Sequence, residues 1–456
     1  MTVPENKPPV VPDTAILASA GSGKTFQLTN RFISLLALGV PPERVVALTF
    51  TRLAAGEIFD KTVSRLCEAA ASSDNSEALN RALKDEDGST AGLPLQLTQH
   101  RVVGMLRGLL MSMHVCSIGT IDSFLVRILR AFPHEFGMTG TFDIIDEHTV
   151  QLARRHVLQR VLGHGDEDDR RAFRESFKRA TFGREEKRFQ DLLDAYVEDS
   201  HGTYLEAPDG RLWAASAAIW PEGHPWFACP DDERRRHAEA LRADFLPGVP
   251  EKSRPAIAAF IDAAEQFTPG QTLNRSAAYA FAKLTAALPE LEGGRFDYTK
   301  TVAFDGKDCE HVLALVRHVG WCEIEGRLED TRGIYEILHT YEQYYRRLVR
   351  QAGKLQFDDV SFLLAHPELA GPAAGRAPVR PDHRLAIDYR LDGQFDHWLF
   401  DEFQDTSSLQ WSAVRNLVDE VVQDAEGRRT AFFVGDVKQA IYGWRGGDPE
   451  LFDWVL

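Results

Sequence analysis

The sequence predicts an α/β protein built on a parallel sheet with a large all-α insertion. Three observations predict it. A glycine-rich turn, Gly21-Ser22-Gly23-Lys24-Thr25, follows the apolar run Ala15-Ile16-Leu17 and opens the helical period Phe26 to Leu38. Three further apolar runs, Val45 to Thr49, His397 to Phe400 and Thr430 to Val434, lack polar alternation, as strands buried on both faces do. Between about Glu147 and Gly353 strands are hard to find, and amphipathic helical periods take over.

At 456 residues the chain is too long for one core, so two or three lobes are expected. A formal net charge of −16 excludes a protein that coats nucleic acid through a global basic field, while leaving room for a local groove. The five cysteines, Cys67, Cys116, Cys229, Cys309 and Cys322, form no C-x-x-C pair, so neither a zinc site nor a disulfide framework is readable. They fit a reduced, cytoplasmic protein. No apolar run approaches the roughly 20 residues of a membrane span, and no membrane partner is expected.

Residues 1–13 are polar and proline-rich and read as a disordered lead-in. The stretch Ala18-Ser19-Ala20-Gly21-Ser22-Gly23-Lys24-Thr25 then sits where a strand turns into a helix, the geometry in which backbone N–H groups converge on phosphate. Gly21 and Gly23 let the backbone approach, Lys24 reaches the β and γ oxygens, and the Thr25 hydroxyl ligates Mg²⁺. Gly39 and Pro41-Pro42 stop the helix, and the second strand ends in Thr49-Phe50-Thr51-Arg52. Phe50 there is either an exposed stacking platform or a core side chain. Ala71 to Gly92 reads as a solvated loop or frayed helix end; helical period resumes from Leu95, and Val115 to Ile118 reads as a short strand. Thr120 or Asp122 caps the next helix, which runs through Leu125 to Arg130.

Within the insertion, Val150 to Leu162, Lys187 to Val197, His237 to Ala243, Ala256 to Phe267 and Leu328 to Leu355 read as helices, with Gly293 to Gly306 as a loop. Trp213, Trp220 and Trp226 read as loop packing rather than a binding cage. The sheet returns with His397 to Phe400, which delivers Asp401-Glu402 at its carboxyl tip. With a phosphate loop in the same chain, Asp401 suits holding Mg²⁺ and Glu402 suits polarising an attacking water. The last strand leads into Gln439, an amide able to sense a γ-phosphate, and then into Tyr442-Gly443-Trp444-Arg445. Aromatics interleaved with a cation suit stacking on unpaired bases, worth about 1–3 kcal/mol per base. A tryptophan tucked under the sheet edge is the alternative.

Read in order, ASAGSGKT, TFTRLAAGEI, TIDSF followed by RILR, LQFDDV, FDEFQDTS and VGDVKQAIYGWRGGD resemble the motifs of UvrD/Rep-type superfamily 1 DNA helicases, nearest the RecB and AddA branch. The resemblance is strong over about Ala15 to Phe136 and Tyr341 to Phe452. It implies a RecA-like ATP-binding domain of residues 14–146 and 354–456, interrupted by a helical insertion of residues 147–353, that couples ATP hydrolysis to 3′-to-5′ movement on single-stranded DNA. By its pattern Lys24, Asp401, Glu402 and Gln439 are catalytic, Thr25 and Asp401 hold Mg²⁺, and Gln404 contacts the γ-phosphate region. Thr49, Phe50, Thr51, Thr120, Ser123, Tyr442, Trp444 and Arg445 would lie along the DNA, and Asp358 and Asp359 would be structural.

Two departures shape the expectation. The branch usually carries histidine at Asp122, and a carboxylate there would repel DNA phosphate. Leu456 follows the third helicase motif almost directly, so a second RecA-like domain with its arginine finger is expected in cis or in trans, and a nuclease or recombination subunit is a possible partner. Because an arginine finger accelerates hydrolysis about 10³ to 10⁵-fold, this stretch alone is expected to turn over slowly. A rival reading is a stand-alone nucleotide-dependent DNA-binding subunit that needs a partner chain to complete its ATPase site.

Overall fold

The computed structural model describes residues 11–17, 23–84, 95–136, 138, 140–163, 189–216, 229–367, 387–391, 394–424, 426–436, 438, 447–448 and 450–455. The chain divides into two compact units. Unit 1 comprises Met1–Val157, Glu198–Glu206 and Gln343–Leu456, and unit 2 comprises Leu158–Val197 and Ala207–Glu342.

Unit 1 is built on a five-stranded sheet. In chain order its strands are β1 (Thr14–Leu17), β2 (Val45–Thr49), β3 (Ser117–Thr120), and the pair His397–Phe400 and Thr430–Gly435. The last two become β8 and β9 once β4 (Asp143–Ile144), β5 (Arg295–Thr299), β6 (Val302–Asp305) and β7 (Lys354–Leu355) are counted. The spatial order is β1-β9-β8-β2-β3, and every pairing is parallel. Parallel strands need crossovers, and helices α1 (Lys24–Ala37), α2 (Arg52–Ala70), α3 (Ser73–Lys84), α4 (Gln99–Met111) and α5 (Ile121–Ala131) supply them.

The unbroken apolar runs divide between two cores because side chains alternate across a strand. Val46, Leu48, Trp398, Phe400, Ala431 and Phe433 pack with α5 and the helices Phe357–Ala365 and Ser408–Val422. Val45, Ala47, Leu399, Phe432 and Val434 pack with α1, α2 and α4. Phe400 and Phe433 stack at 5.2 Å in the first core. Every residue of β2, β8 and β9 is buried, whereas β1 alternates between half-buried and exposed.

Three local readings change. Ser73–Lys84, within the stretch read as a solvated loop or frayed helix end, is a separate helix whose buried residues are Ser76, Leu79 and Leu83. One thin buried stripe suffices because the rest of that helix faces water. Strand β3 starts at Ser117 rather than Val115, since its register against β2 pairs Val46 with Ser117 and Thr49 with Thr120. Of residues 1–13, those from 11 onward are described: Val11 is buried, and the Asp13 carboxylate accepts from the Ala431 N–H at 2.7 Å.

Unit 2 packs the helices Asp231–Ala240, Arg254–Gln266 and Arg275–Ala286 and the N-terminal part of the 42-residue helix Lys307–Leu348 around their own apolar cluster. It is not all-α. Residues read as the loop Gly293 to Gly306 form the antiparallel hairpin β5–β6, in which Phe296 pairs with Phe304. Phe296, Tyr298, Val302 and Phe304 carry the hairpin's apolar side, with Tyr298 and Phe304 in edge-to-face contact at 6.1 Å. The flanking glycines mask that alternation. Trp213 packs in its loop, its indole N–H donating to the Ala207 carbonyl at 2.6 Å; Trp220 and Trp226 lie outside the described residues.

Candidate functional site

Because all five strands run the same way, their carboxyl ends share one edge of the sheet, where open α/β sheets bind ligands. Leu17, Thr49, Thr120, Phe400 and Gly435 end there, and each leads into a segment singled out by its sequence.

Helix α1 begins at Lys24, one residue after Gly23, whose φ of 85° is the left-handed conformation that glycine adopts without strain. Among the described residues no side chain caps this helix, and its first turn contains no acidic residue, so its positive end favours an anion. Lys24 is 8% exposed, and its Nζ meets Glu402 Oε2 at 2.5 Å. Thr25 is half-buried beside it.

Strand β8 delivers the acidic group. The Asp401 N–H donates to the Leu48 carbonyl at 2.8 Å, extending the strand ladder by one residue. Glu402 then takes φ 51° and ψ 45°, a left-handed conformation that costs a residue with Cβ about 1–2 kcal/mol. This turns the chain sharply and separates two adjacent carboxylates. Asp401 is buried, and burial first, then the neighbouring Glu402, pushes its pKa up to about 6 against the pull of Lys24. Asp405 is likewise pushed up to about 6 by burial and by Glu402.

Gln404 ties these groups to the neighbouring strand. Its Nε2 donates to Glu402 Oε2 at 2.7 Å and its Oε1 accepts from the Asp436 N–H at 2.9 Å. Such an approach requires glycine at 435, because a Cβ there would lie 2.6 Å from Gln404 Oε1 and 2.7 Å from the Phe452 ring. Lys24, Glu402, Gln404 and the start of the loop after β9 thus form one hydrogen-bonded chain. Sequence reading missed Gly435 and Asp405; the third carboxylate in FDEFQD was the signal for the latter.

These groups fit Mg²⁺ with a nucleotide better than a metal held by protein alone. Among the described residues no cluster of three or more His, Cys, Asp or Glu could hold a metal ion. Mg²⁺ commonly takes one or two protein oxygens and completes its shell with water and substrate phosphate. Asp401 and Thr25 would be that pair, and the buried Asp405 Oδ1 has no hydrogen-bond partner among the described residues.

The strand-end residues assigned to DNA are in part structural. Thr51 Oγ1 accepts from the Ala54 N–H at 3.1 Å and Thr120 Oγ1 from the Ser123 N–H at 3.2 Å, capping α2 and α5. Thr120, rather than Asp122, is therefore the cap of α5. Ser123 Oγ donates back to the Thr120 carbonyl at 2.8 Å. Phe50 and Thr51 are half-buried and Ser123 is exposed, but Thr49 at 3% and Thr120 at 8% are buried, so neither hydroxyl lies on the open surface. Ala18, Ser19, Ala20, Gly21, Ser22, Gln439, Tyr442, Trp444 and Arg445 lie outside the described residues.

Asp359 of LQFDDV is buried and accepts from Arg350 Nε at 2.6 Å, Tyr345 Oη at 2.8 Å and the Gln356 N–H at 2.8 Å. It anchors the region of the short parallel pair β4–β7 rather than a ligand. No helix among the described residues is long and apolar enough to cross a membrane.

The family model of the UvrD/REP helicase N-terminal domain matches residues 7–455. Similar curated proteins include an ATP-dependent helicase/nuclease subunit from Heliobacterium modesticaldum, 23% identical over 96% of this chain and 32% of that protein. The same-named protein of Geobacillus kaustophilus is 26% identical over 96% of this chain and 35% of its own length. The chain thus spans about a third of the length of the relatives it matches. With that match running almost end to end, the chain belongs to the UvrD/REP helicase N-terminal domain family.

Proposed function

We propose that this chain is the ATP-binding half of a DNA helicase motor that couples ATP hydrolysis to 3′-to-5′ movement along single-stranded DNA, in repair or recombination. The observation that carries the reading is the chain of contacts from Lys24 through Glu402 and Gln404 to the Asp436 N–H. It joins a phosphate-binding lysine to the segment that leads toward Tyr442, Trp444 and Arg445.

In this reading residues 14–146 and 354–456 form a RecA-like ATP-binding domain and residues 147–353 its insertion. Residues Ala18 to Gly23 wrap the phosphates, and Lys24 exchanges Glu402 for the β and γ oxygens. Thr25 and Asp401 hold Mg²⁺, which neutralises phosphate charge when bound. Glu402, released from Lys24, accepts a proton from the attacking water, while Gln404 and Gln439 contact the γ-phosphate region. Phe50, Thr51, Ser123, Tyr442, Trp444 and Arg445 line the DNA. A second RecA-like domain, supplied by the same polypeptide or another, contributes the arginine finger, and a nuclease subunit is a fitting partner given the relatives' names.

The test is ATP hydrolysis by the motor assembled with its second domain, with and without single-stranded DNA. Turnover stimulated by DNA and lost in Glu402→Gln supports the reading. DNA-independent turnover, or normal turnover in that variant, overturns it.

A further inference from the structure

One contact in unit 1 joins the segment after β8 to the first turn of α5, at the end of β3. Gln410 Nε2 donates to Asp122 Oδ1 at 2.6 Å, joining residues 288 apart in sequence. The geometry points to Gln410 and Asp122 as positioning residues that carry the state of the nucleotide site to the junction of β3 and α5, residues Thr120–Ser123. This rests on the motor reading above and adds the route by which its two ligands communicate.

The amide of Gln410 is held in one orientation. Its Oε1 accepts from the Ser407 N–H at 3.0 Å, and Ser407 Oγ accepts from the Gln410 N–H at 3.1 Å. This reciprocal box caps the helix Ser408–Val422 and leaves Nε2 to reach Asp122. Asp122 lies in the first turn of α5, between its cap Thr120 and the exposed Ser123.

At the other end of the same short segment, Glu402 is gripped by Lys24 and Gln404. Between the two ends the segment is braced rather than loose. The Asp448 N–H donates to the Thr406 carbonyl at 3.1 Å, Ser408 Oγ donates to Asp448 Oδ2 at 2.9 Å, and Ser407 bridges to Gly447. Residues 402–410 thus act as a bracket. When phosphate displaces Glu402 from Lys24, the left-handed turn at Glu402 is free to relax, and the braced part transmits the shift to Gln410 and hence to the first turn of α5.

Glutamine is needed at 410 for a stated reason. Glutamate there keeps the capping box, because its carboxylate still accepts from the Ser407 N–H, but it has no donor for Asp122 and repels that carboxylate. Gln410→Glu therefore separates helix capping from the relay. Asp122→Asn is the complement, since an asparagine Oδ1 still accepts from Gln410.

The experiment measures the affinity of the motor assembled with its second domain for a labelled oligothymidine strand, without nucleotide and with saturating Mg-AMPPNP; the ratio is the coupling factor. Wild type is expected in the ordinary allosteric range of about 5 to 150-fold. In Gln410→Glu the factor collapses to within about two-fold of unity while AMPPNP affinity and the melting temperature stay at wild-type values, and Asp122→Asn keeps the wild-type factor. Wild-type coupling in Gln410→Glu, or loss of coupling accompanied by loss of folding in both variants, overturns the relay. A wild type whose DNA affinity ignores nucleotide overturns the motor reading and the relay with it.

Discussion

At the scale of single residues, Asp401 and Glu402 are adjacent in sequence yet chemically distinct, because the left-handed backbone at Glu402 keeps Asp401 in line with β8 and turns its neighbour toward Lys24. Burial holds Asp401 near a pKa of about 6, above its ordinary 3.8. The sign follows. A carboxyl raised in the fold contributes stability to the folded protein that is present below about 3.8 and lost as pH rises through about 6. Holding Mg²⁺ needs the carboxylate, so Mg-nucleotide affinity is expected to be full above pH 7 and to fall as pH drops through about 6; a titration series from pH 5 to 8 checks it. In Asp401→Asn this dependence should flatten. Gly435 makes a steric prediction: Gly435→Ala, whose Cβ meets Gln404 and Phe452, should destabilise the fold by about 1–3 kcal/mol in urea unfolding.

Among elements, the central strands were legible because parallel strands covered on both faces are largely apolar without alternation, and β2, β8 and β9 are buried at every position. The acidic pair Asp401-Glu402 stood out as a polar segment immediately after such a run. Helix α3 and the β5–β6 hairpin were not legible, because each buries little: three residues in α3, and one side of a hairpin bounded by glycines. Contacts between distant segments, such as Gln404 with Asp436 and Gln410 with Asp122, leave no periodic signal at all. The box Ser407-Ser408-Leu409-Gln410 caps the helix Ser408–Val422, and its energetic prediction is independent of ligands. Ser407→Ala should cost about 0.5–2 kcal/mol in thermal or urea unfolding, and Ser407→Thr should recover most of it.

At the scale of the molecule, the proposed motor with a −16 net charge would hold DNA through a local set of groups rather than a global basic field. Binding to single strands is therefore expected to weaken with salt by a slope set by few contacts, measurable from 50 to 200 mM salt. All of this depends on the sheet edge being a nucleotide site. The direct test is calorimetric titration of the chain with Mg-AMPPNP beside Lys24→Ala. The account predicts one site in the wild type and an affinity at least about tenfold weaker in the variant, as loss of a charge-assisted contact to phosphate requires. Equal affinity in the two proteins would contradict it.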